Sequence, residues 1–94
     1  MENSTHRSKS EKSWDYRLSK KALKNLKKIP IADQRKIFET LESMKSEPFA
    51  GDAKPIQGEE NLHRRRVGNY RIYFRPLFEY KILDVPEIIR KQSH

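Results

Sequence analysis

Apolar and polar residues alternate from Trp14 to Leu18, and this period-two pattern predicts a half-buried strand. The preceding residues, 1–13, show no such period and hold few apolar side chains. They are expected to form a flexible polar tail. The sequence therefore predicts a single folded domain over residues 14–94.

Two helices are predicted after this strand, because the apolar spacing changes from two residues to three or four. Ser19 is a suitable N-cap for the first helix, and Pro30 ends that helix or opens the next. Asp33 is a candidate N-cap for a second helix that runs to about Ser46. The short connection predicts an antiparallel helix pair. The apolar positions are Ala22, Leu23, Leu26 and Ile29 in the first helix, and Ile37, Phe38, Leu41 and Met44 in the second.

A loop and a hairpin are predicted next. Residues 47–61 contain two prolines and two glycines, which is typical of a loop. Two strand-like runs, 62–67 and 70–75, are separated only by Gly68 and Asn69. A glycine–asparagine pair in this position indicates a hairpin with a tight turn.

The last part of the chain predicts one more strand. Pro76 is expected to break the hairpin's second strand, and residues 80–85 form the next one. Pro86 bars that strand from continuing as an ordinary interior strand, so residues 88–94 are expected to pair briefly or end as coil. The predicted order is β-α-α-β-β-β. This order indicates an α+β fold, in which an antiparallel twisted sheet carries an N-terminal helix pair on one face.

The hairpin turn fixes which side chains share a face of the sheet. With a two-residue turn, Val67 faces Tyr70, Arg66 faces Arg71, Arg65 faces Ile72, and Arg64 faces Tyr73. Because side chains alternate along a strand, one face is predicted to hold Arg64, Arg66, Arg71, Tyr73 and Arg75. The other, mostly apolar face is predicted to hold His63, Arg65, Val67, Tyr70, Ile72 and Phe74, and to pack on the helices.

A direct pairing of Arg66 with Arg71 is unfavourable by roughly a few tenths of a kcal/mol, since like charges repel across a ladder. A bound phosphate would turn this repulsion into charge-assisted hydrogen bonds. Docking of an acidic partner, or a solvated surface with no role, would also fit the pattern. Arg65 is expected to reach the rim on its aliphatic stem, and His63 is expected to be a packed or rim histidine rather than a catalyst.

Charge favours an anionic polymer as the ligand. The 94 residues carry a net charge of +8, and the two segments 19–28 and 62–75 hold five lysines and five arginines without any acid. The excess positive charge is therefore local, which is typical of nucleic-acid binding. The predicted RNA-contacting residues are Lys20, Lys21, Lys24, Lys27, Lys28, Lys54 and Arg75.

Composition excludes several kinds of site. The chain has no cysteine, which excludes disulfides, thiolate catalysis and zinc–sulfur sites. Its three histidines are dispersed and no acidic cluster has ligand spacing, so no metal and no other cofactor is predicted. No apolar stretch resembles a membrane span or a signal peptide, so we expect a cytoplasmic location without a membrane partner.

The segment Leu62–Tyr73, LHRRRVGNYRIY, carries a resemblance to a known family. It is similar to the L-x-R-x-R-V-G-x-Y-R run of the RelE/ParE superfamily, the toxins of type II toxin–antitoxin systems. The segments Leu18–Ala22 and Lys54–Gly58 are shorter matching pieces, and the resemblance covers residues 14–94. RelE-like members cleave mRNA, commonly in the ribosomal decoding site, whereas ParE-like members poison DNA gyrase.

The resemblance implies roles for particular residues. By position, Arg64, Arg66 and Arg71 would contact the scissile phosphate, and Arg90 matches a basic residue that completes the site. The family often ends in H-R-x-x-x-Y, but this chain has Ile89 in place of the histidine and His94 in place of the tyrosine. The resemblance also implies a cognate antitoxin that wraps and neutralises the toxin, with mRNA and the ribosome as further partners.

The predicted function is a toxin that acts as a metal-independent endoribonuclease on mRNA and so inhibits translation. Such cleavage needs a base, an acid and charge stabilisation at the phosphate. Arginine stays protonated and cannot be the base. His94 is the first candidate for proton transfer, and Tyr73 is the second. The alternatives are a ParE-like gyrase inhibitor and an inactive module that binds RNA or the antitoxin.

Overall fold

The computed structural model describes residues 13–91, and its elements confirm the α+β class. The predicted tail, apart from its last residue, lies outside the described residues. Within residues 13–91, no helix is long and apolar enough to cross a membrane. The elements are β1 (Asp15–Leu18), α1 (Lys20–Lys27), α2 (Ile31–Met44), β2 (Ala53–Pro55), β3 (His63–Val67), β4 (Tyr70–Leu77) and β5 (Ile82–Arg90).

The five strands form one sheet in the order β1-β5-β4-β3-β2. The strand β2, which was not predicted, pairs antiparallel with β3. The predicted antiparallel arrangement is correct for β3 with β4 and for β4 with β5. It is wrong for β1, which lies parallel to β5 with Asp15 opposite Ile82. The first and last strands are therefore neighbours that run in the same direction, and the sheet is mixed.

The strand β2 lies inside the segment that was predicted to be a loop. It has three residues and pairs with β3, placing Lys54 opposite Arg64. Three residues are too few to show an alternating pattern, and Pro55 at the end of the strand adds a turn signal. The sheet thus gains a short edge strand next to the hairpin.

The prediction that prolines stop the last two strands is wrong, because both prolines lie where the ladder needs no backbone N–H. β4 continues through Pro76 to Leu77. The Pro76 carbonyl accepts a hydrogen bond from the Asn61 side chain at 3.0 Å, beyond the first residue of β3. β5 continues through Pro86 to Arg90, and Pro86 lies at a bulge in its pairing with β4. Residues 88–90 therefore belong to the sheet.

Helix α1 begins as predicted and also closes the outer edge of β5. Ser19 is the N-cap, and its hydroxyl accepts a hydrogen bond from the Ala22 N–H at 3.0 Å. The same hydroxyl donates to the Pro86 carbonyl at 2.8 Å, while the Asn25 side-chain oxygen accepts from the Ile88 N–H at 3.1 Å. β1 pairs with β5 only as far as Val85. Beyond that point, these side chains of the helix region form hydrogen bonds with the Pro86 carbonyl and the Ile88 N–H of β5.

The predicted cap Asp33 has a different role. α2 begins at Ile31 directly after Pro30, and Asp33 lies in its first turn. Its carboxylate accepts a hydrogen bond from the Tyr70 hydroxyl at 2.8 Å, and this bond raises the pKa of Tyr70. The contact fastens the second helix to the start of β4.

The core lies between the helices and one face of the sheet. Alternate residues of β4 are buried, among them Tyr70, Ile72 and Phe74. At one end of this core, the His63 ring stacks on Phe74 with ring centroids 5.4 Å apart, and Phe49 lies at the same distance on a tilted ring. His63 is therefore packed among aromatic rings, on the face that was predicted for it.

The half-buried position of His63 makes stability depend on pH. Desolvation lowers the pKa of His63, so the folded protein resists protonation that the unfolded chain accepts. As the pH falls through about 6.5, the unfolded state binds more protons and the free energy of unfolding decreases. Urea unfolding at pH 7.5 and 5.5 measures this loss. His63→Phe keeps an aromatic ring without a titrating group, and should show a smaller loss; equal losses would contradict the assignment.

Candidate nucleic-acid interface

The predicted register of the hairpin is confirmed at every pair. Arg66 lies opposite Arg71, and Arg64 lies opposite Tyr73. Gly68 has a positive φ of 57°, a backbone conformation that glycine adopts without strain, so the two-residue turn can close. The arginines and Tyr73 are therefore neighbours on the sheet face that the helices leave open.

The burial pattern of β4 places its arginines on this open face. Ile72 and Phe74 are fully buried in the core, whereas Arg71, Tyr73 and Arg75 between and beside them are half-buried on the other side. Arg71 occupies the middle of the sheet, with Arg66 on one neighbouring strand and Ile89 on the other. Its Nε is enclosed and has no hydrogen-bond partner among the described residues. The outer guanidinium nitrogens are thus the part of Arg71 that a ligand can reach.

Asp52 is a member of the open face that the sequence analysis missed. Its Oδ1 lies 3.5 Å from Arg64 Nη1, and its Oδ2 lies 3.5 Å from Arg66 Nε. One carboxylate therefore bridges two of the three predicted phosphate-binding arginines. Asp52 lies two residues before Lys54, and the three-residue strand β2 that follows it gives no recognisable pattern in the sequence.

Arg65 lies on the helix-side face as predicted, and it forms a hydrogen bond with the turn that precedes Asp52. Its Nη1 donates to the Ala50 carbonyl at 2.9 Å. Gly51 has a φ of 71°, and a Cβ there would lie 2.8 Å from the Arg65 guanidinium carbon. A side chain at position 51 would therefore collide with Arg65, so glycine permits the close approach of the turn.

Two more acids on the open face were not foreseen. Asp84 lies opposite Arg75 in the ladder and pairs with Arg17 at 3.1 Å. Glu87 lies opposite Tyr73 and pairs with Lys21 at 3.4 Å. Asp84 lies within the predicted strand 80–85, whereas Glu87 reaches this face because β5 continues beyond Pro86. The open face is therefore a basic surface that also holds the carboxylates of Asp52, Asp84 and Glu87.

The remaining predicted site residues are more widely spread. Lys54 is exposed beside Arg64 on the open face. Arg90 is exposed opposite the buried Tyr70, and strand alternation therefore places it on the helix-side face, away from the arginine cluster. His94 lies outside the described residues. The five lysines of the first helix region are exposed around Leu23 and include Lys20, Lys24, Lys27 and Lys28 in addition to Lys21.

This arrangement is suited to gripping an anion rather than to proton transfer. Guanidinium groups donate paired hydrogen bonds to phosphate oxygens and stay charged at all ordinary pH values. The structure brings together Arg64, Arg66 and Arg71 with Tyr73, and it places the Asp52 carboxylate beside the first two arginines. The face can therefore bind a phosphate and stabilise added negative charge on it.

Comparison with known proteins places this fold among toxins. Residues 16–91 match the family model of the ParE toxin of the type II toxin–antitoxin system parDE. A protein of Methanocaldococcus jannaschii named as a RelE1 toxin is 27% identical over 83 residues, which cover 85% of this chain and 92% of the relative.

Two solved complexes have the same fold. The toxin of the archaeal RelE–RelB complex from Pyrococcus horikoshii OT3 aligns with a TM-score of 0.75 at 21% identity, over 86% of this chain and 98% of that one. The RelB–RelE complex of Methanococcus jannaschii aligns with a TM-score of 0.63 at 26% identity, over 78% of this chain and 87% of that one. With a family model matched over most of its length, this chain belongs to the RelE/ParE family and is a toxin of a type II toxin–antitoxin system.

Proposed function

We propose that this toxin is a metal-independent endoribonuclease that cleaves mRNA, in association with the ribosome, and thereby inhibits translation. The observation that supports this proposal is the in-register cluster of Arg64, Arg66 and Arg71 beside Tyr73 on the open face of the sheet. Like charges placed directly opposite each other destabilise a sheet. Asp52 contacts Arg64 and Arg66 but not Arg71, and a bound phosphate would offset the repulsion that remains.

The proposed reaction is attack of a ribose 2′-hydroxyl on the adjacent phosphorus. The 2′-oxygen forms a bond to phosphorus, the bond to the 5′-oxygen breaks, and a 2′,3′-cyclic phosphate end results. The three arginines would stabilise the negative charge that builds up on the phosphate oxygens. Tyr73, and His94 from the chain's end, are the proposed groups for taking the 2′ proton and returning a proton to the 5′-oxygen.

We also propose that a cognate antitoxin binds this toxin. The similar toxins from Pyrococcus horikoshii and Methanococcus jannaschii were solved as complexes with RelB proteins. A fold shared at this level gives the antitoxin a comparable surface to bind. Co-expression of the toxin with candidate antitoxins similar to RelB, followed by size-exclusion chromatography, tests this partnership.

The lysines of α1 are proposed to contact the RNA backbone. Each phosphate contact on a single strand contributes about 0.7 to the slope of log affinity against log salt. Replacing Lys20, Lys24 and Lys27 with alanine should therefore lower this slope by about 2. The double variant Arg35→Ala with Lys36→Ala removes exposed charge from α2 and serves as the control. An unchanged slope in the triple variant would reject the role.

One experiment tests the proposed activity. The toxin is expressed briefly in cells, and the 5′ ends of mRNA are mapped alongside the supercoiling of a reporter plasmid. New mRNA ends that appear with the wild type and not with Arg66→Ala support the nuclease. Accumulated cleaved or relaxed DNA with intact mRNA would instead identify a gyrase inhibitor. If both the mRNA ends and the DNA supercoiling stayed unchanged, the toxin would be a binding module without catalysis.

A further inference from the structure

We propose that Asp52 is an intramolecular competitor of the RNA phosphate. In the free toxin its carboxylate occupies the anion position between Arg64 and Arg66, and RNA binds by displacing it. This inference rests on the proposed function, since it concerns the same arginines. It names the group that the substrate must replace.

The geometry of the bridge resembles that of a bound phosphate. Each carboxylate oxygen serves a different guanidinium, with Oδ1 3.5 Å from Arg64 and Oδ2 3.5 Å from Arg66. A phosphate presents two oxygens in the same manner. Strong charge-assisted bonds of this kind measure roughly 2.7–2.9 Å. The carboxylate therefore fills the position without making the closest contact available there, and a phosphate can outcompete it.

The backbone around Asp52 holds the carboxylate in this position. The Asp52 carbonyl accepts a hydrogen bond from the Arg66 N–H at 3.0 Å. On the other side of the turn, Arg65 donates to the Ala50 carbonyl at 2.9 Å. With Gly51 allowing the close approach, the turn is fixed at both ends to the strand that carries the arginines. Displacement can therefore proceed by rotation of the Asp52 side chain alone.

The exposure of the bridge makes such an exchange possible. The side chains of Asp52 and Arg66 are each 40% exposed, whereas Arg64 is 15% exposed. An incoming phosphate can thus reach Arg66 from solvent while the carboxylate still contacts Arg64. Because Asp52 carries a negative charge next to the phosphate position, its presence weakens RNA binding.

Substitution of Asp52 by asparagine tests the inference, because it keeps the shape and removes the charge. The probe is a fluorescent 2′-O-methyl oligoribonucleotide, which lacks the attacking hydroxyl and reports binding alone. We expect Asp52→Asn to lower its Kd about fivefold, as removal of one charge at about 4 Å from the ligand in water predicts. Asp52→Glu keeps the charge and should bind as weakly as the wild type.

Two matched variants separate this effect from a general gain of positive charge. Glu39→Gln changes the charge equally on the exposed surface of α2, and Asp84→Asn does so on the open face, at the Arg17 pair. Both should change Kd less than Asp52→Asn does. Equal effects of the three variants would overturn the inference.

Cleavage kinetics provide a second readout. If Asp52 only competes with the phosphate, Asp52→Asn lowers KM and leaves kcat unchanged. A large loss of kcat at unchanged Kd would place Asp52 in the chemistry and overturn the inference. Arg66→Ala tests the underlying site separately: unchanged binding there would reject the proposed function. If Arg66→Ala weakened binding but Asp52→Asn did not strengthen it, the competitor role of Asp52 would be rejected while the phosphate site would stand.

Discussion

Arg71→Ala is expected to slow RNA cleavage about 10²–10³-fold, the usual effect of removing one donor that stabilises charge in the transition state. Arg71 lies in the middle of the open face, next to Arg66, and forms no ion pair with the described residues. It is therefore available to the phosphate without first leaving a partner. Cleavage of mRNA by purified toxin in a translation extract, followed by mapping of the new ends, measures the rate.

The same variant should not destabilise the fold, because it relieves the repulsion between Arg71 and Arg66. Thermal unfolding measures this, and a midpoint equal to or slightly above that of the wild type is expected. Arg35→Ala removes an exposed arginine from α2 and should leave both cleavage and stability unchanged. Full activity of Arg71→Ala would remove this residue from the site, and a collapsed midpoint would assign it to the structure instead.

Phe74→Ala is expected to lower the free energy of unfolding by about 3–5 kcal/mol, which is the range for truncating a buried aromatic ring. Phe74 is fully buried in the middle of β4 and stacks on His63. Small domains are stable by only about 5–15 kcal/mol in total. The variant should therefore lose a large part of its stability, which urea unfolding measures at neutral pH.

Tyr80→Ala is the matched control for this prediction. Tyr80 is an aromatic residue that is 68% exposed, three residues beyond the end of β4. A surface truncation of this kind changes stability by no more than about 0.5 kcal/mol. If Phe74→Ala proved as mild as Tyr80→Ala, the core would not be centred on β4 as described.

The arginine cluster could be predicted because it depends only on local rules. A glycine–asparagine turn sets the register of the hairpin, and the register sets which side chains share a face. The Ser19 cap is equally local, since its hydroxyl bonds to a backbone N–H three residues later. These features could be predicted without knowledge of the rest of the sheet, and the structure confirms them.

The features that were missed depend on distant parts of the chain. The parallel pairing of β1 with β5 joins residues separated by more than sixty positions, and no local pattern encodes it. Pro86 is tolerated because it lies at a bulge in the ladder between β5 and β4, where no N–H is needed, and its carbonyl accepts from the Ser19 hydroxyl. The local sequence around the proline does not reveal this. The position of Asp52 depends on β2, a three-residue strand that is held in place by pairing with β3.

The lengths of the outer strands have a consequence for self-association. The long strands β4 and β5, with eight and nine residues, lie inside the sheet, and the outer strands β1 and β2 have only four and three. β2 also presents Lys54 and ends in Pro55, which lacks an N–H. Short, charged borders of this type resist the addition of strands from other molecules. Concentrated toxin is therefore not expected to form fibrils through pairing of the outer strands of different molecules.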